Sequence, residues 1–238
     1  SEPAPAKDAG MEYAVKMKRL RREMMMDKLL ASKRVNESDI RELARIVADF
    51  HAKAEKARDE YGSPAMIWGQ IEDLGNFREA IQDACKMGAS VEFILGRSKI
   101  FIDRNKALFE KRADEGRVKD CHGDLHSGNI FLDGGVVITD CIEFNKDFRC
   151  IDVVSDVAFM AMDLDAAGRG DLSRLFVEEY LAKSDDPEFG KLLAFYKCYR
   201  ANVRAKIAAI EWSQGAGEGS RASMRKYLEL AEKYANGW

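Results

Sequence analysis

The hydrophobic period of this chain switches from helical to strand-like and back again, and the switches confine most strand signals to one short central island. Before it, apolar residues recur at spacings of three and four from about Glu23. Ile40, Leu43, Ile46, Val47 and Phe50 fall on one helix face, with Asn36 or Ser38 available as the cap. Two further helices are predicted over roughly 65–87 and 91–115, the latter with Phe93, Ile94, Ile100, Phe101, Leu108 and Phe109 as its stripe. The island holds three β-prone segments, 118–122, 129–132 and 136–142, and Asp133-Gly134-Gly135 between the last two is a hairpin signal. Helices resume at about 152–163, 171–183, 187–212 and 219–235. So few strand residues cannot build a large sheet, and the expected class is α+β, predominantly α, with one small β element.

Charge and cysteine usage narrow the partners. Lysine and arginine (38) nearly balance aspartate and glutamate (41), a net charge of −3, which gives no basis for nucleic-acid or anionic-membrane binding and leaves a small soluble molecule as the expected partner. Cys85, Cys121, Cys141, Cys150 and Cys198 are odd in number and contain no C-x-x-C pair, as expected of reduced thiols. No apolar run approaches the ~18 to 20 residues that span a bilayer, and nothing resembles a secretory signal, so the expected location is cytoplasmic.

Within the island lies His122-Gly123-Asp124-Leu125-His126-Ser127-Gly128-Asn129, followed eleven residues later by Asp140. Phosphoryl transfer needs a carboxylate that orients an attacking hydroxyl and takes its proton, and oxygen ligands that hold Mg²⁺ against nucleotide phosphates. Asp124 can supply the first, and Asn129 with Asp140 the second. The five-residue step from Asp124 to Asn129 lets a tight loop turn both side chains to one point. Asp, Ser and Asn also satisfy turn backbones for purely structural reasons, but here a glycine, a histidine, a following hairpin and a second carboxylate accompany them. His122-x-Asp124-x-His126 also matches the first metal segment of binuclear metallophosphoesterases. Such sites consume several histidines, and this chain has three in all, His51 being placed mid-helix in a core or interface position.

The segment resembles the aminoglycoside phosphotransferase and choline kinase-like branch of the protein-kinase-like superfamily. The likeness spans roughly residues 12–210 and is specific over about 118–160. It implies a kinase-like helical lobe over 20–238 with its catalytic loop at 118–142, ATP or GTP with Mg²⁺ as cofactors, and a small-molecule hydroxyl as acceptor. By that resemblance Asp124 is the catalytic base, Asn129 and Asp140 are the magnesium ligands, and His122 orients the loop. Asp156, in Ile151-Asp152-Val153-Val154-Ser155-Asp156, braces the loop through its backbone. His126 contacts substrate or phosphate, or packs the loop. Cys141 stands where protein kinases carry Phe-Gly, which points to the small-molecule branch.

The same resemblance calls for a glycine-rich hairpin over the nucleotide, and residues 1–11 read instead as a linker with one glycine. Residues 12–18 alternate like a half-buried strand. With only helices between Lys18 and the catalytic loop, residues 12–19 read as a strand to the inter-lobe hinge, so that Met17, Lys18 and Arg19 would meet the adenine, rather than as the carrier of a phosphate lysine at Lys16. The missing hairpin leaves a non-catalytic kinase-like ligand- or partner-binding module as the alternative function. For the acceptor, Asp163, Asp165, Asp171, Glu178, Glu179 and Tyr180 offer an acidic group that suits a polycation, against the plainer expectation of a solvated helix face. The Arg200, Arg204 and Lys206 helix follows, with Tyr196, Tyr199 and Trp212 expected in the core.

Overall fold

A computed structural model describes residues 19–238. The strand expected at 12–18, with Met17 and Lys18, lies outside the described residues. Arg19 is exposed and belongs to no helix or strand.

The helices of the first half are α1 (Met26–Ala31), α2 (Glu37–Lys53), α3 (Pro64–Glu72), α4 (Arg78–Cys85), α5 (Gly88–Arg104) and α6 (Lys106–Asp114). Asn36 opens α2 with a capping box: its side chain accepts from the Asp39 amide while Asp39 accepts from the Asn36 amide. The helix expected at 65–87 divides, because a 3₁₀ stretch over Asp73–Phe77, containing Gly75, separates α3 from α4. The helix expected at 91–115 also divides. Asn105 sends its side-chain amide back to the Phe101 carbonyl (2.8 Å), competing with the backbone ladder, and α6 starts afresh at Lys106.

The β element comprises two antiparallel pairs rather than one. β1 (Val118–Asp120) pairs with β4 (Cys150–Asp152), and β2 (Ile130–Leu132) with β3 (Val136–Ile138) in the expected hairpin. Gly134 and Gly135 take φ of 74° and 150°, a turn that only glycine enters without strain. Between the pairs lies α7 (Lys146–Arg149), and after β4 come α8 (Val153–Ala166), α9 (Gly170–Leu181), α10 (Phe189–Ser213) and α11 (Glu218–Ala235).

Helix α8 is the axis of the molecule. Every residue from Val153 to Leu164 is buried, so it is apolar on nearly all faces, as a helix enclosed by others must be. One core cluster packs it against α2, α9 and α10, and a second packs Phe159 and Met162 against α4, α5, α10 and α11. Each fully buried side chain of this size contributes about 1.5–3 kcal/mol. That rigid apolar axis is what can hold Asp156 and Asp163 in its interior beneath the central loop.

A buried arginine ties the β element to the surrounding helices. Arg112 at the end of α6 holds Asp152 at 2.6 and 2.9 Å and Asp186 at 2.8 and 2.8 Å, with all three side chains nearly inaccessible. Both guanidinium edges are used in fork-to-carboxylate pairs, the geometry in which arginine outperforms lysine.

Candidate active site

The loop leaving β1 is suspended from the inside of the fold by Asp156, in the first turn of α8. Its carboxylate accepts from the His122 amide (3.2 Å), the Gly123 amide (3.0 Å) and His51 Nε2 (3.2 Å), and His51 Nδ1 meets the Tyr180 hydroxyl at 2.9 Å. Burial pushes the Asp156 carboxyl up, but the hydrogen bond from His51, with the His51 and Arg200 electrostatics, outweighs it and holds it below the ordinary carboxylate value. The core histidine expected at position 51 is thus also the second support of the loop.

Gly123 is gripped from the other side. Arg200 donates Nη1 to the Gly123 carbonyl (3.0 Å) and Nε to the Ser155 carbonyl (3.1 Å) and hydroxyl (3.2 Å). Gly123 itself sits at φ 83°, and a β-carbon there would lie 2.6 Å from the Phe148 carbonyl oxygen. Only glycine fits.

His122 bridges the loop to the hairpin. Its Nε2 donates to the Thr139 carbonyl (2.8 Å) and its Nδ1 accepts the Asp124 amide (3.2 Å), an arrangement that assigns the neutral Nε2–H tautomer. Thr139 in turn donates its amide (2.9 Å) and hydroxyl (3.2 Å) to the Asn129 carbonyl. Asp140 follows directly, exposed and at φ 57°, a left-handed conformation that a short polar residue tolerates.

Asp124 is half-buried at the loop's crest. Asn129 Nδ2 donates to both its Oδ2 and its carbonyl, each at 3.0 Å, and His126 Nε2 lies 3.4 Å from Oδ2 while His126 Nδ1 accepts the Gly128 amide (3.0 Å). Burial raises the Asp124 carboxyl, yet His126, Asn129 and Arg200 together bring it below its ordinary value. Asp163 accepts the Ser127 amide (2.9 Å) and hydroxyl, pinning the 3₁₀ turn over Ser127–Asn129.

These contacts join His122, Asp124, His126, Asn129 and Asp156 into one network, with Asp140 attached through Thr139. They also use both ring nitrogens of His122 and of His126, so neither ring is free for a binuclear metal centre. The donor set fits Mg²⁺ instead. Asn129 spends its amide N–H groups on Asp124 and keeps Oδ1 out of those bonds, while Asp140 forms no ion pair with any described residue; both offer the hard oxygen that Mg²⁺ prefers.

Among the cavities that flank the loop, two reach His122, Asp124 and Asp140. One of about 640 Å³ is lined by His122, Thr139, Asp140 and Cys141 together with Val47 and Phe50 of α2. The other, about 690 Å³, is lined by Gly123, Asp124, Phe148, Tyr199, Arg200 and Lys206 among others.

The acidic residues named from sequence do not gather. Asp163 serves Ser127, Asp165 binds Lys197 (2.9 Å) and Tyr234, Asp171 binds Arg169 (2.7 Å), Glu179 binds Arg41, and Tyr180 is buried against His51. Tyr196 and Tyr199 are buried as expected, and Trp212 is partly buried. Arg200 as a loop support was missed. The signal was present in its spacing, since it shares an i, i+3, i+4, i+7 stripe with Tyr196, Tyr199 and Val203, where a solvated arginine would not stand.

Residues 5–193 match the family model described as the phosphotransferase enzyme family. Among curated proteins the chain is similar to uncharacterized proteins of Mycobacterium bovis and Mycobacterium tuberculosis, 33% identical over 223 residues. The match covers 91% of this chain and 44% of each relative, so the chain spans less than half the length of the proteins it matches. No solved structure matches.

Proposed function

The chain belongs to the phosphotransferase enzyme family, the aminoglycoside phosphotransferase and choline kinase-like group, and from that premise we propose that it transfers the γ-phosphoryl group of ATP or GTP to a hydroxyl of a small molecule. The observation that carries the reading is the state of Asp124: a carboxylate kept ionised, held at two points by Asn129, and set at the wall of a cavity large enough for a small acceptor.

In this reading an acceptor hydroxyl donates to Asp124, which aligns the oxygen and takes its proton as the new phosphorus–oxygen bond forms and the bond to the nucleoside diphosphate breaks. Asn129 fixes the carboxylate that must face the hydroxyl. Asn129 Oδ1 and Asp140 would hold Mg²⁺, which when bound neutralises phosphate charge and orients the γ-phosphoryl group. His122 ties the loop to the segment that leads from β3 to Asp140, and Asp156 fixes the backbone of both His122 and Gly123. His126 steadies Asp124 from the far side of the turn.

No helix of the described residues is long and apolar enough to cross a membrane, and the described cysteines are free thiols; we place the reaction in the cytoplasm. The test is incubation of the full-length protein with γ-labelled Mg-ATP or Mg-GTP and a panel of small alcohols. Transfer of label to an alcohol, abolished by Asp140→Ala, is the expected result. Nucleotide hydrolysis without any labelled alcohol, or transfer unaffected by Asp140→Ala, contradicts it.

A further inference from the structure

The cavity beside Asp124 contains a cation without a full set of partners. Arg200 is 4% exposed and lines the cavity, and after its bonds to Gly123 and Ser155 its Nη2 remains buried with no hydrogen-bond partner among the described residues. Its guanidinium rests on aromatic faces, 4.8 Å from the Phe159 ring centre and 5.2 Å from that of Tyr199. A buried donor left unmet costs about 1–3 kcal/mol, and more on a charged group.

Apart from Asp124 and Asp147, the other charged and hydrogen-bonding side chains of the wall already have partners. Lys206 is neutralised by Asp73 at 2.7 Å. Tyr199 donates to Gln70 (3.1 Å), and Gln70 donates to the Asp147 carbonyl (2.6 Å). Asn145 caps α7 through the Asp147 amide (2.9 Å). The Asp147 side chain stands exposed at the rim. The rest is apolar: Phe144, 84% exposed, with Phe148, Val203 and Ile207. An aromatic ring so open to water is poorly placed for stability and well placed to cover a ligand.

We propose that this cavity is the acceptor site and that it selects hydroxyl compounds with an apolar or aromatic body and a second oxygen group, carboxylate or carbonyl, that accepts from Arg200, over those that carry an amine in its place. The assignment of the hydroxyl to Asp124 rests on the phosphotransfer reading; the selection by Arg200 does not. Of the acidic residues that would have welcomed a polycation, Asp163, Asp165, Asp171 and Glu179 are spent on their own partners elsewhere.

The test uses three probes that share a benzyl alcohol: 4-(hydroxymethyl)benzoate, 4-(hydroxymethyl)benzamide and 4-(hydroxymethyl)benzylamine. Binding to the full-length protein is measured by calorimetry, and phosphorylated product separately with Mg-ATP. The benzoate and benzamide should bind at least about tenfold more tightly than the benzylamine, the scale of one hydrogen bond to a charged donor. The order of the first two decides whether charge or the oxygen alone is read. Arg200→Gln should reduce the preference to within about twofold, whereas Arg204→Gln, which removes the same charge one turn along α10 and outside this cavity, should preserve it. If Arg200→Gln fails to fold, the ranking on the unaltered protein decides alone. Equal binding, tighter binding of the benzylamine, no binding of any probe, or equal loss in Arg204→Gln overturns the proposal. Ranked binding without phosphorylated product contradicts the phosphotransfer reading and leaves the selection by Arg200 standing; product without ranking does the reverse.

Discussion

Asn129 holds Asp124 at two points, donating from one amide nitrogen to the carboxylate and to the main-chain carbonyl of the same residue, each at 3.0 Å. A single side chain therefore fixes both where the carboxylate lies and which way it faces, and its remaining oxygen is left for a cation. Asn129→Ala should depress kcat by about two orders of magnitude, the usual weight of a misplaced catalytic group, and raise the Mg²⁺ concentration needed for half-maximal activity. Steady-state kinetics over a Mg²⁺ titration separates these effects. A change in KM for the acceptor alone would remove Asn129 from both roles.

The Asp124 carboxyl lies below its ordinary value because His126, Asn129 and Arg200 outweigh the upward push of burial. A depressed value keeps the base ionised down to the lower pH, so kcat/KM should show no acid limb from this group above about pH 5. His126→Ala removes the largest favourable contribution and should move that limb upward, toward the ordinary carboxylate range. A pH profile with a carboxylate limb near 6 in the unaltered protein would contradict the assignment.

Gly123 at φ 83° has no room for a β-carbon, which would meet the Phe148 carbonyl at 2.6 Å. Gly123→Ala should destabilise the protein by about 2–4 kcal/mol and displace the loop that Asp156 and Arg200 suspend. Thermal unfolding together with kcat measures both. Full activity with an unchanged Tm would show that the backbone there is free to adapt.

Arg112 compensates two buried carboxylates at once. Arg112→Met should cost about 3–5 kcal/mol, since it strands Asp152 and Asp186 without a counter-charge. Burial pushes the Asp186 carboxyl up, but its bonds to Arg112 hold it below the ordinary value. A depressed folded-state value gives stability that is present above the unfolded value, about 3.9, and is lost as pH falls through the folded one. In the variant that contribution is absent and burial alone acts on Asp186, so the stability gap between the two proteins should be widest near pH 7 and narrow as pH falls toward 3, as urea unfolding across that range would show. Identical acid unfolding in both proteins would mean that the pair does not set the limit.

The hairpin and the Asp124–Asn129 contact between Val118 and Asp140 were legible as local structure because they are written in residue type and close spacing: aspartate and asparagine five apart, a Gly-Gly turn beneath them. The cap of α2 was legible for the same local reason. β4 was not, since three buried residues show no alternation and its partner β1 lies more than two dozen positions earlier. The two helix breaks were hidden because apolar spacing continues through Asp73–Phe77 and across Asn105, where side-chain and turn chemistry decide. Arg200 was read as one of a run of cations, although its hydrogen bond reaches a carbonyl 77 positions away and its neighbours on the stripe are aromatic. The acidic residues from Asp163 to Glu179 looked like a cluster along the chain, but Asp163, Asp165, Asp171 and Glu179 face different cations or loop groups in three dimensions.

The most direct test of the phosphotransfer account is Asp124→Asn in the full-length protein, with single-turnover phosphate transfer and nucleotide binding measured on the same preparation. The substitution preserves shape and removes the proton acceptor, so Mg-nucleotide affinity should stay within about twofold while transfer falls by about a thousandfold or more. Transfer at the unaltered rate would contradict the role of Asp124 and, with it, the proposed mechanism.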